Sequence, residues 1–522
     1  MKSMDCLKPV GKPQIPASAI GLAPAEAMQG LEQIQLELRE QVVRAANDGD
    51  SFDSTERMVW ESVKRAGHAA MELLLSLQGP GDLGEQVTTE DGRQLRRSAR
   101  PTATQLRSIF GEHRFEQFTY SVGVGKKIEF RPISTRLQLP ANHWSYLLEE
   151  FSQIFSVDQA YNQAASSLET VFGLKFSVDT LERTNSRFGQ QADAFLDALP
   201  KPPPKTESKI MVASADCKGV PLIKESVDPV AAFQTARKRP GNRRMATVAS
   251  VYTVAPYERT AEQVVASLFR DPTEKTDHPQ RPQPANKHTM AHLPTVFVDE
   301  DEEVPISGII EGMAWLAAQV TQRQRPSQNC ILLMDGQQAL WDAALVCLGA
   351  GAAIEILDII HVSSYVWEAA ALFTTTEEQR KAFTRERLLR ILQGKVSSVI
   401  RGLRRMASTA HLTGEKLKDL KRICGYFENH QSRMRYDEYL AAGYPIASGV
   451  IEGACGHLVK DRMERSGMRW TQEGARKMLN VRAVFQSSYW ETFCQQRITE
   501  SIREIHPHSN LLVKYQPLTL AG

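Results

Sequence analysis

The stretch PKPPPK, Pro200–Lys205, constrains the fold more than any other in this chain. Four prolines in six positions can neither continue a helix nor enter a central strand. The hydrophobic pattern changes across it. Before it, apolar residues recur at three- and four-residue spacing; after it they form short continuous or alternating runs separated by helical stretches. The spacing predicts a mainly helical first part and an α/β second part.

In the first part, residues 24–47 and 54–78 read as two amphipathic helices. Residues 80–100 are rich in Gly, Asp and Arg and read as a linker. Short alternating segments around Gly123 and Gly125, within 111–132, predict a hairpin. Residues 144–190 return to helical spacing, and AYNQAASSLETVFGLKFSVDTLERTNSRFG gives helix, glycine turn and a second helix capped by Ser177. That is the outline of a helix-turn-helix, and equally of an ordinary helical hairpin. The expected divisions are 1–90 (helical), 91–143 (small, β-containing) and 144–200 (helix-turn-helix-like).

In the second part, KIMVASADCKGVPLI reads as a strand ending at Asp216, a Lys-Gly turn and a return strand. RMATVASVYTV is a third strand. ISGIIEGMAWLAAQV is a helix, NCILLMDG a strand ending at Asp335, QQALWDAALVCLGA a helix and AIEILDIIH a strand. The order β-β-β-α-β-α-β implies a mixed sheet. Residues 270–292 read as a polar, Pro-rich loop, and 362–445 as an all-helical insertion rich in Lys and Arg. The expected divisions here are 205–361 (sheet core), 362–445 (insertion), 446–490 (glutamate helix) and 491–522 (C-terminal tail).

Composition narrows the class. At 522 residues there is room for two to four domains. A hydrophobic content of 42% with 24% charged residues is that of a soluble globular protein. The longest apolar runs, of about ten residues, cannot span a bilayer, and MKSMDCLKPVGKPQ has no apolar secretory core. A cytoplasmic protein without a membrane partner is expected. Seven cysteines without a C-x-x-C pair exclude a disulfide framework and a cysteine zinc site. The formal charge of +2 predicts no partner, yet three clusters are basic: RQLRRSAR, ARKRPGNRRMA with Arg243 and Arg244, and HLVKDRMERSGMRW continued by Arg476, Lys477 and Arg482. Clustered Lys and Arg suit a polyanion.

Three acids have a shared chemical rationale. Asp216 and Asp335 each follow an apolar run, and Glu452 lies in ASGVIEGACGHLVKDRM, where a glycine-bounded turn enters a helix. Taken singly, each reads as a turn former or helix-end residue. Together they match what two Mg²⁺ ions roughly 4 Å apart require: carboxylates from several elements, leaving room for water and phosphate oxygens. Asp358 also ends a strand and competes with Asp335 for the second place.

The element order with Asp, Asp and a late Glu resembles the RNase H-like core of DDE transposases. ADCKGVP, RPGNRRMATVASVYTVAPYERTAEQVV, LLMDGQQALWDAAL and GVIEGACGHLVKDRMERSGMRWTQEGARKMLNVRA are similar to ISKra-type bacterial insertion-sequence transposases of the Mutator-like lineage. The resemblance covers about residues 110–490 and is most specific over Ser448–Ala483. It implies a DNA transposase with an RNase H-like core, with Asp216, Asp335 and Glu452 holding Mg²⁺, or Mn²⁺ in its place. It also implies cleavage and transfer of strands at insertion-sequence ends. Asp358 and His361 map onto the lineage's accessory Asp-x-x-His signature, and a structural hydrogen bond holding the insertion to the sheet is the other role open to that pair. Lys460, Arg462, Arg465 and Arg469, with Arg243 and Arg244, are the expected DNA contacts, and Trp470 is either a base-stacking or a core residue. Double-stranded terminal-repeat and target DNA are the implied partners, a homodimer or higher oligomer the implied assembly, and the bacterial nucleoid the implied location. Two alternatives stay open: an RNase H-like nuclease or resolvase without strand transfer, and an inactive transposase-derived DNA-binding protein. The chain departs from its relatives in having Cys217 after the first acid and no cysteine pairs in TYSVGVGKKIEF, so no thiolate zinc site is expected there. Nothing before residue 80 matches the family.

Overall fold

The computed structural model describes residues 22–223, 243–270, 281–299, 302–465, 467–487, 489–513 and 515–520. They gather into two compact units. One comprises the residues up to Thr184 with those from Glu491 onward, the other Asn185–Trp490. The division falls inside a helix rather than at the proline stretch, and the segment expected as a C-terminal tail belongs to the first unit.

In the first unit, α1 (Pro24–Asp48) and α2 (Phe52–Ser76) pair as a helical hairpin, with the Ser51 hydroxyl accepting the Ser54 N–H at 3.2 Å to start α2. The expected linker is partly a hairpin, β1 (Gln86–Thr88) and β2 (Gln94–Arg97), turned at Asp91–Gly92 with Gly92 at φ +81°. An Asp-Gly turn is a hairpin signal that the charged composition masks. β3 (Thr102–Ser108) pairs with β4 (Gly111–Gln117), while β5 (Tyr120–Ser121) and β6 (Ile128–Phe130) flank the hairpin expected around Gly123 and Gly125. The small sheet has the order β1-β2-β5-β6. After α3 (Pro132–Arg136) come α4 (Tyr146–Asp158), α5 (Tyr161–Phe172) and α6 (Val178–Asp197). Gly173 turns between α5 and α6 at φ +75°, and the Ser177 hydroxyl accepts the Thr180 N–H at 3.2 Å.

In the second unit, β7 (Ile210–Pro221), β8 (Arg243–Val254) and β9 (Ala285–His292) are antiparallel neighbours, with α7 (Ala261–Phe269) between the last two in sequence. A hairpin of β10 (Thr295–Asp299) and β11 (Glu302–Ile306) precedes α8 (Gly308–Arg323), which packs on β7, β8 and β9. β12 (Asn329–Met334), α9 (Gln338–Leu348) and β13 (Ile354–Leu357) follow. β12 lies parallel to β7 and β13 parallel to β12, giving a mixed sheet of order β13-β12-β7-β8-β9. β7 and β12 are buried almost throughout, which is why they read as continuous apolar runs rather than alternating ones.

Two expectations about these strands need correction. β7 continues through Asp216, Lys218 and Gly219 without a turn, because β8 pairs with all twelve of its residues. The return strand expected after that turn is therefore part of β7, RMATVASVYTV forms the second strand, β8, rather than the third, and the third antiparallel strand is β9, which lies in the segment expected to be a Pro-rich loop.

Residues 359–441 are almost wholly helical: α10 (Ile359–Phe373), α11 (Glu377–Leu392), α12 (Val396–Thr409), α13 (Gly414–Asn429) and α14 (Tyr436–Ala441). Their apolar faces share one continuous core with the sheet, so this segment is a layer of the same body. The chain then enters α15 (Gly449–Ala454), a π-helical turn (Cys455–Lys460), α16 (Asp461–Met463) and α17 (Gln472–Gln486). α18 (Trp490–Ile505) carries Arg497, whose guanidinium meets Glu149 of α4 at 2.9 Å within the first unit.

Candidate active site

Three acids lie on or after three neighbouring parallel strands, on the side where β12 and β13 end and where open sheets place ligands. Pairing of β7 with β12 ends at Ala213, so Asp216 sits just past the point where β12 leaves, while β8 still holds the other edge. Asp335 is the first residue after β12, and Asp358 the first after β13, with its N–H donated to the Met334 carbonyl at 2.9 Å. The fourth acid, Glu452, comes from α15, which packs on β7 and β8.

Each carboxylate is held by local donors. Asp216 Oδ1 accepts the Cys217 N–H at 2.7 Å, and Oδ2 lies 3.4 Å from the Cys455 thiol. Asp335 Oδ1 accepts the Gln337 N–H at 2.9 Å, and its carbonyl accepts the Trp341 indole N–H at 2.7 Å. Asp358 is fully buried and caps α10: Oδ1 accepts the N–H groups of Ile360 and Ser448 at 3.0 and 3.2 Å, and Oδ2 the Ser448 hydroxyl at 2.6 Å. His361, half-exposed one turn into α10, lies 4.0 Å from Asp358 Oδ2 through Nε2.

Electrostatics link the acids into one cluster. Burial, and next the charge of Asp216, push the Asp335 carboxyl above the usual range, against the Gln337 N–H. Burial likewise raises Glu452, followed by the charges of Asp358 and, more weakly, Asp216, with His361 opposing. Asp216 is thus the neighbour common to Asp335 and Glu452. One donor atom each from Asp358, His361 and Glu452 lies within 4.8 Å of the others, a spacing a single metal ion can bridge. The expected contest between Asp335 and Asp358 therefore has a mixed outcome: Asp335 adjoins Asp216, whereas Asp358 adjoins Glu452.

Sequence reasoning missed three residues of this site. Ser448 ties Asp358 to the start of α15, Cys455 aims its thiol at Asp216, and His430, buried after α13, feels the charge of Asp335. Burial first, then Arg433, hold His430 below the usual imidazole range. A serine before a glycine-bounded turn is a helix-start signal that singles out Ser448; His430 has none, because it reaches the site through packing of the helical layer.

The expected DNA contacts divide. Lys460, Arg465 and Arg469 are exposed. Arg462 is fully buried with its guanidinium 4.8 Å from the Trp470 ring centre, and Arg244 is buried beside the Arg243 carbonyl. Neither can track a phosphate from there, so those two expectations are corrected. The physical reason for Arg462 is its helix face: at about 100° per residue it falls on the same side as Ile451, Cys455 and Leu458, all of which are buried. Arg243 is half-exposed and pairs with Glu464 at 2.6 Å. Trp470 is a core residue: its indole N–H donates to the Met463 carbonyl at 3.2 Å and its backbone pairs with Pro221 and Ile223. Arg482 is buried and donates to the Leu458 carbonyl at 2.8 Å. In RQLRRSAR, Arg93 is paired with Asp91 and Glu129, and Arg97 with Asp82. Of ARKRPGNRRMA, the part before Arg243 lies outside the described residues.

No helix among the described residues is long and apolar enough to cross a membrane. No family model matches the chain, and no curated protein matches it significantly.

Proposed function

We propose that this chain is a DNA transposase that cleaves and joins phosphodiester bonds at insertion-sequence ends, with Asp216, Asp335 and Glu452 as the metal-binding acids on an RNase H-like core. The observation that carries the reading is placement: Asp216 lies on β7 just past its pairing with β12, Asp335 directly follows β12, and Glu452 comes from α15, which packs on β7 and β8. The strand order β13-β12-β7-β8-β9, three antiparallel strands followed by two parallel ones, supports it.

The donor set fits a hard divalent cation. It offers carboxylate oxygens that burial, and next their neighbouring acids, push above the usual range, and a bound cation offsets both costs. Mg²⁺, or Mn²⁺ in its place, supplies Lewis-acid stabilisation of the attacking and leaving oxygens of the phosphodiester. Asp335 is the better second ligand, because the two Asp358 oxygens already accept three hydrogen bonds in a fully buried position. Asp358 then positions Glu452 through Ser448, and His361 borders the same space. The Cys217 and Gln337 N–H groups orient the carboxylates of Asp216 and Asp335. Exposed Lys460, Arg465 and Arg469, on and after the glutamate helix, would hold the DNA backbone. α5 and α6 are the candidate helix-turn-helix, although exposed Asp179, Glu182 and Arg183 give α6 a mixed rather than basic surface there.

The test uses a labelled plasmid carrying the ends of the genetic element that encodes the chain. Glu452→Gln keeps the side-chain outline and removes the charge; it should bind the ends but lose roughly 10³-fold or more of the Mg²⁺-dependent cleavage. Asp342→Asn alters an exposed acid on α9 that bonds Gln338, and should cleave normally. Cleavage by Glu452→Gln at the native rate rejects the reading. Cleavage without joining would instead mark a hydrolytic nuclease.

A further inference from the structure

The first unit holds a second group of metal-type donors that the proposed chemistry does not use. His68 and Glu72, four residues apart on α2, share one face of that helix, and His113 on β4 meets them. His113 Nδ1 lies 2.6 Å from Glu72 Oε1, and His68 Nε2 lies 3.9 Å from the same oxygen. The two imidazoles stack at 4.7 Å with 19° between their planes. One donor atom from each of the three residues falls within 4.8 Å of the others.

The outer nitrogens of both rings are already engaged. His68 Nδ1 lies 3.2 Å from the Phe110 carbonyl, which can only accept, so that nitrogen carries the proton. Its Nε2 faces the Glu72 carboxylate at 3.9 Å, too long for a direct hydrogen bond and open to a cation between them. His113 Nε2 lies 2.9 Å from the Ser108 hydroxyl, which can donate or accept and so suits either tautomer of the ring. Metal-binding histidines are characteristically oriented in this way, by a hydrogen bond from the far nitrogen. The local backbone is shaped for the approach as well. A Cβ on Gly67 would come within 2.4 Å of the Phe110 ring, so glycine lets α2 close on the β3–β4 turn and brings His68 to the Phe110 carbonyl.

We propose that His68, Glu72 and His113 form a binding site for a first-row divalent cation of the zinc class, a staple joining α2 to β4. Two imidazole nitrogens and one carboxylate oxygen suit Zn²⁺ better than Mg²⁺ or Ca²⁺, which prefer all-oxygen shells. Water completes the tetrahedron, because the His68 side chain keeps 12% of its surface exposed. On binding, the single ring proton of neutral His113 passes from Nδ1 to Nε2, where it donates to the Ser108 hydroxyl, so the ring stays neutral and no net proton is released. No thiolate takes part, so this site differs from the cysteine type excluded by the sequence.

The experiment uses the full chain carrying Glu452→Gln and His361→Gln, so that zinc counted is not held by the acid cluster. After chelator treatment and re-equilibration with Zn²⁺, about one zinc per chain should be retained and the melting temperature should rise. Adding His68→Gln, which leaves the Glu72–His113 bond in place, should weaken zinc binding by about 10²-fold or more and abolish the thermal shift. X-ray absorption on the zinc-loaded protein without His68→Gln should show two imidazole ligands, a readout that needs no ligand variant to fold. Failure to retain zinc, retention unaffected by His68→Gln, or an absorption spectrum without imidazole each overturns the site.

Discussion

Ser448 joins Asp358 across ninety positions of chain, its hydroxyl donating to Oδ2 at 2.6 Å and its N–H to Oδ1 at 3.2 Å. The residue that begins the glutamate helix is thereby tied to the residue that leaves β13. With the Ile360 N–H, these donors solvate a carboxylate that has no contact with water. A buried carboxylate held mainly by such bonds depends strongly on each of them.

Ser448→Ala removes the hydroxyl and leaves the N–H. We expect a loss of about 1.5–3 kcal/mol, the usual range for a hydrogen bond to a charged group. Urea unfolding should show a lower midpoint at an unchanged slope. Ser448→Thr, which keeps the hydroxyl, should recover most of the loss. An alanine variant as stable as the parent would show that the bond carries no net stability.

Asp335 should make the metal-free protein less stable as pH rises. Its folded carboxyl is raised above the ordinary aspartate value of 3.8 by burial and then by Asp216, so the folded state binds more protons than the unfolded chain between the two pKa values. In that window stability falls as pH rises, and above the folded pKa the loss is complete. Asp335→Asn should therefore melt higher than the parent at neutral pH without metal, and the gain should vanish below the unfolded pKa. Added Mg²⁺ should raise the parent's melting temperature more than the variant's. Parallel melting curves across pH would contradict this account.

Gly336 has no room for a side chain. A Cβ there would lie 2.2 Å from Cε2 of Tyr426, whose ring stacks on Tyr365 at 3.9 Å. Gly336→Ala must displace that aromatic pair, at a cost of about 1–3 kcal/mol. Tyr426→Leu should relieve the clash, so the double variant should lose less than the sum of the two single changes. Strict additivity would argue that the backbone moves instead.

Arg497 and Glu149 are 7% and 2% exposed at their side chains, and they connect α18 to α4 inside the first unit. Arg497→Ala leaves the glutamate charge buried, for which about 3–5 kcal/mol is expected. Adding Glu149→Gln should restore part of the loss, since the charge is gone. Deleting the chain after Trp490 should destabilise the first unit as strongly as Arg497→Ala or more, because it also removes His506, which meets Thr135 and Leu139. A truncated chain of native stability would show that α18 is dispensable.

Much of the outline was legible in residue order alone. Apolar periodicity and the Ser177 cap mark α5 and α6, because a 3.6-residue repeat and a capping hydroxyl are local properties. β12 and β13 stand out as apolar runs, and the acids directly after them, Asp335 and Asp358, are where strands give way to polar residues. Tertiary structure decided the rest. Lys218–Gly219 has the composition of a turn, yet β7 passes straight through it because β8 stays in register beside every one of its residues. β9 lies in a proline-rich, polar segment and becomes a strand by pairing with β8. Arg462 points inward because the helix face it shares with Ile451, Cys455 and Leu458 packs into the core, whereas its charge alone suggests a surface position. The grouping of the acids also belongs to tertiary structure. Asp216 and Glu452 stand 236 positions apart in the numbering, and only the strand order and the packing of α15 on β7 and β8 bring their charges within reach of each other.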